Sequence, residues 1–503
     1  MRRWRLRAVA WLALPLALAA SGSAHAGADC ALPQSVGSDC KAAADADAGA
    51  LPEGLLAALR AAGIPAAALS LRVTGGDGRL RLDYRSGEVR AVGSLIKLFT
   101  TLAALDLLGP DFRFHTDLLA EPLAGPLPVW QLSLRGGGDP GLRYADLVHL
   151  LRAARAAGVE QVAPVVHVDR SRFAGLPGQT SGVTPEPGHV GVTPPSALLL
   201  EQSAVQLLLP ARRRGQVLVD PPFPLKVSAR TDADDAAPCP GNWPQGLQLR
   251  SAEPATAPAA GAPADAPQLV LEGLWPTACP ETSVLRAPLS DAAYLDLALA
   301  TGASSVGWTA QLHGVEQPAP ALARVSLRQD SRPLAELVRD INKFSNNVMA
   351  RTLFLALAAE SGELPATPAA ADRVIRRWLD TAGLHFPELA FENGSGLSHL
   401  ERTTAAHLEQ LLKYALTTAV SPEFVASLPI PGADGSLRTR FRDLAQARRL
   451  RLKSGGLDGV RSLAGYVLGR DGRIGTLVFV VNDAHAEAAT PAMAAVLEWI
   501  LRE

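Results

Sequence analysis

The chain has 503 residues, enough for two or three domains, and its 48 Lys+Arg against 49 Asp+Glu leave a formal charge of −1. That balance argues against a nucleic-acid binder, which needs a basic face to neutralise phosphates. Only six basic residues are lysines, at positions 41, 97, 226, 343, 413 and 453. A retained lysine in such an arginine-rich chain draws notice, because a buried Lys can lose its proton and Arg in practice cannot.

The N-terminus reads as a targeting segment. "MRRWRLR" is a basic stretch, "AVAWLALPLALAA" an apolar one, and "AHA" (Ala24 to Ala26) a small-residue cleavage site. Together they predict a signal peptide over 1–26 and a mature chain from near Gly27. Asp29 before Cys30 does not fit a lipoprotein box, and no later run of ~18 apolar residues offers a membrane span. The expectation is an exported, periplasmic protein with no transmembrane segment in its mature chain. The four cysteines fit an oxidising compartment and allow three pairings, of which Cys30–Cys40 with Cys239–Cys279 is the local choice. No CxxC or HxxxH spacing is present, so no metal site and no cofactor is expected.

A short helix is predicted at about 52–62, then a β-hairpin in "AALSLRVTGGDGRLRLDY", turning at "GGDG". "AVGSLIKLFTTLAALDLLG" follows, an apolar helix from Ala91 stopped by Gly109-Pro110. From about 117 to 320 the runs are strand-like ("WQLSLRG", "APVVHVD", "SAVQLLLP", "QLVLEGL"), with many prolines and few strong helices. The segment at 252–267, "AEPATAPAAGAPADAP", is low-complexity and reads as a surface loop. Helical spacing returns after 330 in "PLAELVRDINKFSNNVMARTLFLALAAE" and "AADRVIRRWLDTAG". The end is β then α: "RLRLKSGG", "RSLAGYVLG" and "IGTLVFVVND", then a helix from about 488. The pattern predicts one domain split in sequence, 27–116 with 321–503, around a β-rich insertion at 117–320. Strands from both ends would share an antiparallel sheet covered by helices.

Three polar sets stand out. Ser94 and Lys97 lie three apart, on one face of the predicted helix, and Lys97 is the only charge between Arg90 and Asp106. Desolvation in that apolar setting lowers a lysine pKa, and a neutral amine beside a hydroxyl is a general base beside a nucleophile. Ser38 and Lys41 share the spacing but sit in a polar, cysteine-flanked stretch, so the spacing alone carries little. The second set is "NKFSNN", with Ser345 and Asn347, which also suits a helix cap. The third is "LKSGG", Leu452 to Gly456, on a strand-like run: Lys453, the Ser454 hydroxyl and the small Gly455 and Gly456 suit a carboxylate.

In this order the three sets resemble the SxxK, SxN and K[ST]G motifs of the serine penicillin-recognising enzymes. "GSLIKLFTTLAALDLLGPDFRFHT", "RGGGDPGL", "VHVDRSRFAG", "PPSALLLEQSAVQLLLP", "ENGSGLSHLERTT", "PGADGSLRTRF" and "LKSGGLDGVRSLAGYV" are similar to the D-alanyl-D-alanine carboxypeptidase/endopeptidase family, the low-molecular-mass class C penicillin-binding proteins. The resemblance spans nearly all of the mature chain. It implies an α/β (α+β) transpeptidase fold: a five-stranded antiparallel sheet, a helical subdomain and β-rich inserted domains.

The resemblance also implies roles. Ser94 is the nucleophile and Lys97 its base; Ser345, with Lys453, returns a proton to the leaving amine, and Asn347 holds the substrate amide. Lys453 and Ser454 receive the terminal carboxylate, beside Gly455, and the backbone N–H groups of Ser94 and Gly456 form the oxyanion hole. The implied partners are peptidoglycan peptides ending in D-Ala-D-Ala, with β-lactams as acylating inhibitors. Three positions depart from the usual pattern: Ser454 for Thr, Gly456 for Thr or Ser, and Asn393 for Asp in "ENGSG", where Ser395 is a site-shaping candidate. A β-lactamase or esterase on the same fold, or a catalytically silent peptidoglycan binder, are the rival expectations. The 251 residues from Ser94 to Ser345 and the intact polar sets weigh against them.

Overall fold

The strand-like runs at the two ends of the chain do meet. In the computed structural model, β1 (Leu69–Thr74), β2 (Leu80–Tyr84), β3 (Leu450–Leu457), β4 (Val460–Leu468) and β5 (Ile474–Asn482) form one sheet in the order β3-β4-β5-β1-β2. Every neighbouring pair in it is antiparallel. The structure describes residues 51–502 apart from 127, 175–189, 212–215, 233–237, 242, 245, 252–267 and 277. The expected signal peptide, the Cys30–Cys40 pair, the Ser38–Lys41 spacing and the 252–267 segment lie outside the described residues.

The period of two along a strand explains how this sheet is covered on both faces. On β5, Leu477, Phe479 and Val481 join one apolar cluster while Val478 and Val480 join another. Neither face is left polar, so both must be covered by helices. The helices of this body are α1 (Glu53–Ala61), α2 (Lys97–Leu108), α3 (Leu334–Phe344), α4 (Asn347–Glu360), α5 (Pro368–Thr381), α6 (Ala405–Ala415), α7 (Ser421–Ser427) and α8 (Thr490–Arg502). Leu55 and Leu59 of α1 and Val496 and Leu497 of α8 cover the first face. The second cluster holds α2 through α7.

The chain leaves this body after α2 and returns before α3. His115–Pro122 and Val325–Asp330 pair with each other at one edge of a five-stranded mixed sheet, continued by Val129–Arg135, Gln161–Asp169 and His313–Glu316. Two three-stranded sheets follow: Gln248–Ser251, Gln268–Leu274 and Lys226–Asp232, then Thr282–Arg286, Val205–Leu209 and Leu218–Asp220. Residues of all three sheets share one apolar cluster, separate from the two that flank the first sheet. Cys239 and Cys279 are disulfide-bonded within this part, and Cys279 is buried in its core.

Two local outcomes differ from the sequence reading. The segment from 115 to 330 contains real helices, Tyr144–Ala156 and Asp291–Ser305. The second is capped at Ser290, whose hydroxyl accepts the Ala293 N–H at 3.2 Å, a signal that the surrounding strand-like runs obscure. The helix expected from Ala91 begins only at Lys97. Ala91 instead pairs with Arg402, and Gly93–Ile96 is a 3₁₀ turn entered through Gly93 at φ 53°. A Cβ on Gly93 would sit 3.0 Å from the Gly456 nitrogen, in left-handed backbone that disfavours a side chain, so glycine suits this close crossing.

No helix of the described residues is long and apolar enough to cross a membrane. Helix α2 is the centre of the second cluster. Phe99 is fully buried there, edge-on to Phe386 at 6.1 Å and Phe391 at 5.9 Å. Phe99→Ala removes that ring from a packed interior and is expected to cost about 3–5 kcal/mol, read as a lowered midpoint in denaturant unfolding.

Candidate active site

The three polar sets converge at the edge of the first sheet. The 3₁₀ turn carrying Ser94 lies against edge strand β3, fixed by the Ser462 hydroxyl donating to the Val92 carbonyl at 2.7 Å. Gly455 allows the approach: a Cβ there would meet the Val92 oxygen at 2.5 Å and the Ser94 nitrogen at 3.0 Å. The backbones of Ser94 and Gly456 are therefore brought side by side, and the outer edge of β3 has no strand neighbour among the described residues.

Ser345 comes from a break between two helices. Helix α3 ends at Ser345 in the left-handed region (φ 55°, ψ 36°), and α4 restarts with Asn346 as its cap, accepting the Met349 N–H at 3.0 Å. Left-handed backbone at a non-glycine residue costs roughly 1–3 kcal/mol. The strain is confined to the residue whose hydroxyl accepts from Lys453 Nζ at 2.8 Å. The capping and the site-building roles of this segment are thus both filled, by adjacent residues.

Lys97 is fully buried at the start of α2 and meets three oxygens. Its Nζ lies 2.9 Å from Ser94 Oγ, 2.6 Å from Asn347 Oδ1, and in contact with the Ser395 carbonyl. A neutral amine has two N–H bonds and one lone pair. Donating the two hydrogens to the Asn347 and Ser395 oxygens aims the lone pair at the Ser94 hydroxyl. Burial, with the neighbouring Lys453 charge adding to it, holds Lys97 well below the ordinary lysine value. Lys453 is also fully buried and donates to the Ser454 carbonyl at 2.6 Å; burial brings it down to about 7.

Ser454 faces a group the sequence reading did not single out. Its Oγ lies 3.3 Å from Ser436 Oγ, in the "PGADGSLRTRF" segment. Lys343 reaches that segment by pairing with Asp434 at 2.5 Å, and a Cβ on Gly435 would lie 2.4 Å from the Lys343 carbonyl oxygen. One of the six lysines is thus a strut for the loop beside β3. Nothing in the spacing of residues 343 and 434 advertises this, because the pairing is made only on folding.

Ser395 enters differently from the expectation. Its side chain turns away, donating to Asn393 Oδ1 at 2.6 Å, and its backbone carbonyl is the part that reaches Lys97. Asn393 accepts both this hydroxyl and the Ser395 N–H at 3.0 Å, holding a tight turn in place of a charge role. Glu401, also unremarked in the sequence, is fully buried behind this turn and accepts N–H bonds from Glu392, Asn393, Gly394 and Gly396. Burial pushes its carboxyl above the ordinary value, and the four N–H donors oppose that push.

A hydroxyl in reach of a neutral amine, a second amine–hydroxyl pair, and adjacent backbone amides at a sheet edge make up the parts of an acyl-transfer site. Known proteins agree with that chemistry. The model of the D-Ala-D-Ala carboxypeptidase 3 (S13) family matches residues 68–502. The chain is 28% identical over 420 residues to the D-alanyl-D-alanine carboxypeptidase of Actinomadura sp. (strain R39), covering 80% of this chain and 75% of that one. It is 22% identical over 410 residues to the D-alanyl-D-alanine carboxypeptidase DacB of Haemophilus influenzae, covering 80% and 82%. The fold is similar to that of penicillin binding protein 4 from Haemophilus influenzae, with a TM-score of 0.68 at 20% identity over 91% of this chain and 98% of that one. With the family model matched from the first strand of the sheet to the last helix, the chain belongs to the S13 family of serine-type D-Ala-D-Ala carboxypeptidases.

Proposed function

We propose that the chain cleaves the D-Ala-D-Ala terminus of peptidoglycan stem peptides, and D,D-crosslinks between them, through an acyl-enzyme on Ser94. The observation that carries this reading is the setting of Lys97, whose two carbonyl acceptors leave its lone pair for the Ser94 hydroxyl. Family membership supports the D-Ala-D-Ala bond as the target. The N-terminal targeting segment supports export to the compartment where that bond is found.

Ser94 Oγ attacks the carbonyl of the penultimate D-Ala while its proton passes to Lys97 Nζ. The oxygen becomes an oxyanion held by the N–H groups of Ser94 and Gly456, each worth roughly 3 kcal/mol to the transition state. The C–N bond then breaks, the leaving amine takes a proton through Ser345 from Lys453, and D-Ala, or the acceptor strand of a crosslink, departs. The proton that Lys97 took restores Lys453, leaving Lys97 a base again. Water then attacks the ester, giving its proton to Lys97, and that proton passes to Ser94 Oγ as its bond to the acyl carbon breaks and the shortened peptide leaves. Asn347 holds the substrate amide, and the Lys453 ammonium with the Ser454 and Ser436 hydroxyls receives the terminal carboxylate. A penicillin enters by the same attack on its lactam carbonyl. Its leaving amine stays tethered, so the ester with Ser94 persists.

Fluorescent penicillin tests the nucleophile. Wild-type protein takes one covalent label and Ser94→Ala none; a label that survives in Ser94→Ala refutes the assignment. Lys97→Arg keeps the charge but cannot act as a base, so acylation falls roughly 10²–10⁴-fold, measured as the second-order labelling rate. Purified crosslinked muropeptides then resolve the two activities: free D-Ala reports the carboxypeptidase, and conversion of dimers to monomers the endopeptidase.

Two pH dependences follow from the buried lysines. Acylation requires neutral Lys97, so its rate falls with falling pH along a limb far below the 10.5 of an ordinary lysine. Carboxylate binding requires charged Lys453, so KM for a D-Ala-D-Ala peptide rises as pH climbs through about 7. Initial-rate profiles across pH check both, and a KM that stays flat through that range removes Lys453 from carboxylate binding.

A further inference from the structure

Glu401 is fully buried, yet no salt bridge to it is found among the described residues. Its carboxylate is filled instead by backbone. Oε1 accepts from Glu392 at 3.1 Å, Asn393 at 2.9 Å and Gly394 at 2.7 Å, and Oε2 accepts from Gly396 at 2.5 Å. Every partner is a donor, which fits an ionised carboxylate; a protonated acid would find no acceptor for its hydrogen.

The loop gathered in this way touches the reacting groups at several points. The Ser395 carbonyl takes a hydrogen of Lys97. The Gly394 carbonyl accepts the Thr100 hydroxyl at 2.7 Å, one turn further along α2. Gly396, at φ 81°, lies so close to the nucleophile's backbone that a Cβ would be 2.0 Å from the Gly93 oxygen and 2.6 Å from the Ser94 nitrogen. Immediately after Glu401, Arg402 pairs with Ala91 on the strand that leads into the Ser94 turn.

Charge points the same way. When Lys97 takes the Ser94 proton it becomes an ammonium inside the core. The charged groups acting on it are Lys453 and Arg351, which oppose that charge, and Glu401, which favours it. Arg351 is itself buried on α4, with its guanidinium donating to the Thr193 carbonyl.

We propose that Glu401 is a positioning residue for acylation: its carboxylate shapes residues 392–396 so that the Ser395 carbonyl meets Lys97, and it supplies the counter-charge for the ammonium formed there. The inference rests on the reading of Ser94 and Lys97 given above. It gives this site the logic of an acid that orients a base and steadies its charged form without touching substrate.

The test is the second-order rate of penicillin acylation of the full chain from acid to alkaline pH, in wild type, Glu401→Asp and Glu401→Gln. Rates are expressed per titrated Ser94, so that unfolded molecules do not count, and Ser94→Ala is the control for the label. Both variants are expected to acylate roughly tenfold slower or more at the plateau, because the Ser395 carbonyl is displaced. Glu401→Asp keeps the anion and the acid limb of wild type. Glu401→Gln removes the counter-charge, which makes Lys97 easier to deprotonate, and its acid limb moves to lower pH by about half a unit or more. A residue needed only for folding changes the yield of titratable sites and neither the rate per site nor the limb; that outcome overturns the proposal. If Glu401→Gln yields no titratable protein, Glu401→Asp decides alone: a rate per site within about twofold of wild type overturns it. A label persisting in Ser94→Ala overturns the site reading, and this inference with it.

Discussion

A single amine, Lys97, sets the terms for the rest of this structure. Placing a lysine in an apolar interior is costly while it is charged, and burial shifts Lys97 toward its neutral form. Neutrality in turn demands two acceptors for its hydrogens, and these come from opposite sides of the site: a side-chain carbonyl on α4 and a backbone carbonyl in the 392–396 turn. The Ser94 hydroxyl is then the group left to meet the lone pair. Because those segments are 250 and 298 residues away in sequence, the amine also ties the split halves of the body to one geometry.

The same body explains why the site sits at a sheet edge. Strand β3 lacks an outer strand neighbour among the described residues, and only part of that edge is taken, the Leu452 N–H by the Pro429 carbonyl and the Ser454 carbonyl by Lys453. Its small residues let the Ser94 turn come close, and bulk at Gly455 would push the nucleophile away. Two buried struts behind the site serve the same end by different means. Lys343 holds the Ser436 loop through Asp434 and the Leu428 carbonyl, and Glu401 holds the Ser395 turn through backbone N–H groups alone. Each charged group is met by polar partners, which is what makes its burial tolerable.

Much of this was legible before any coordinates. The strands of the first sheet and the closing helix followed from periodicity and turn residues. The Ser94–Lys97 pair was visible because an isolated charge in an apolar helix is rare. What sequence reading missed was mostly non-local. Ala91 was assigned to a helix, since its pairing with Arg402 cannot be seen from its neighbours. Asp291–Ser305 was lost among strands because its cap is a single serine. Ser395 was noticed for a hydroxyl that points elsewhere, while its carbonyl, a group every residue owns, makes the contact that matters.

The sequence by itself determined which groups are available: a serine three residues before a lysine in an apolar run, a serine and an asparagine in "NKFSNN", and a lysine and a serine before glycines on a strand-like run. It determined this because spacing of three on a helix and two on a strand fixes local faces. Only the tertiary structure decided that Lys97 has two carbonyl acceptors, that Lys453 belongs to Ser345, and that Glu401 stands behind the turn. Those pairings join segments distant in the chain. Only packing of the whole core brings them within the few ångströms over which a hydrogen bond acts.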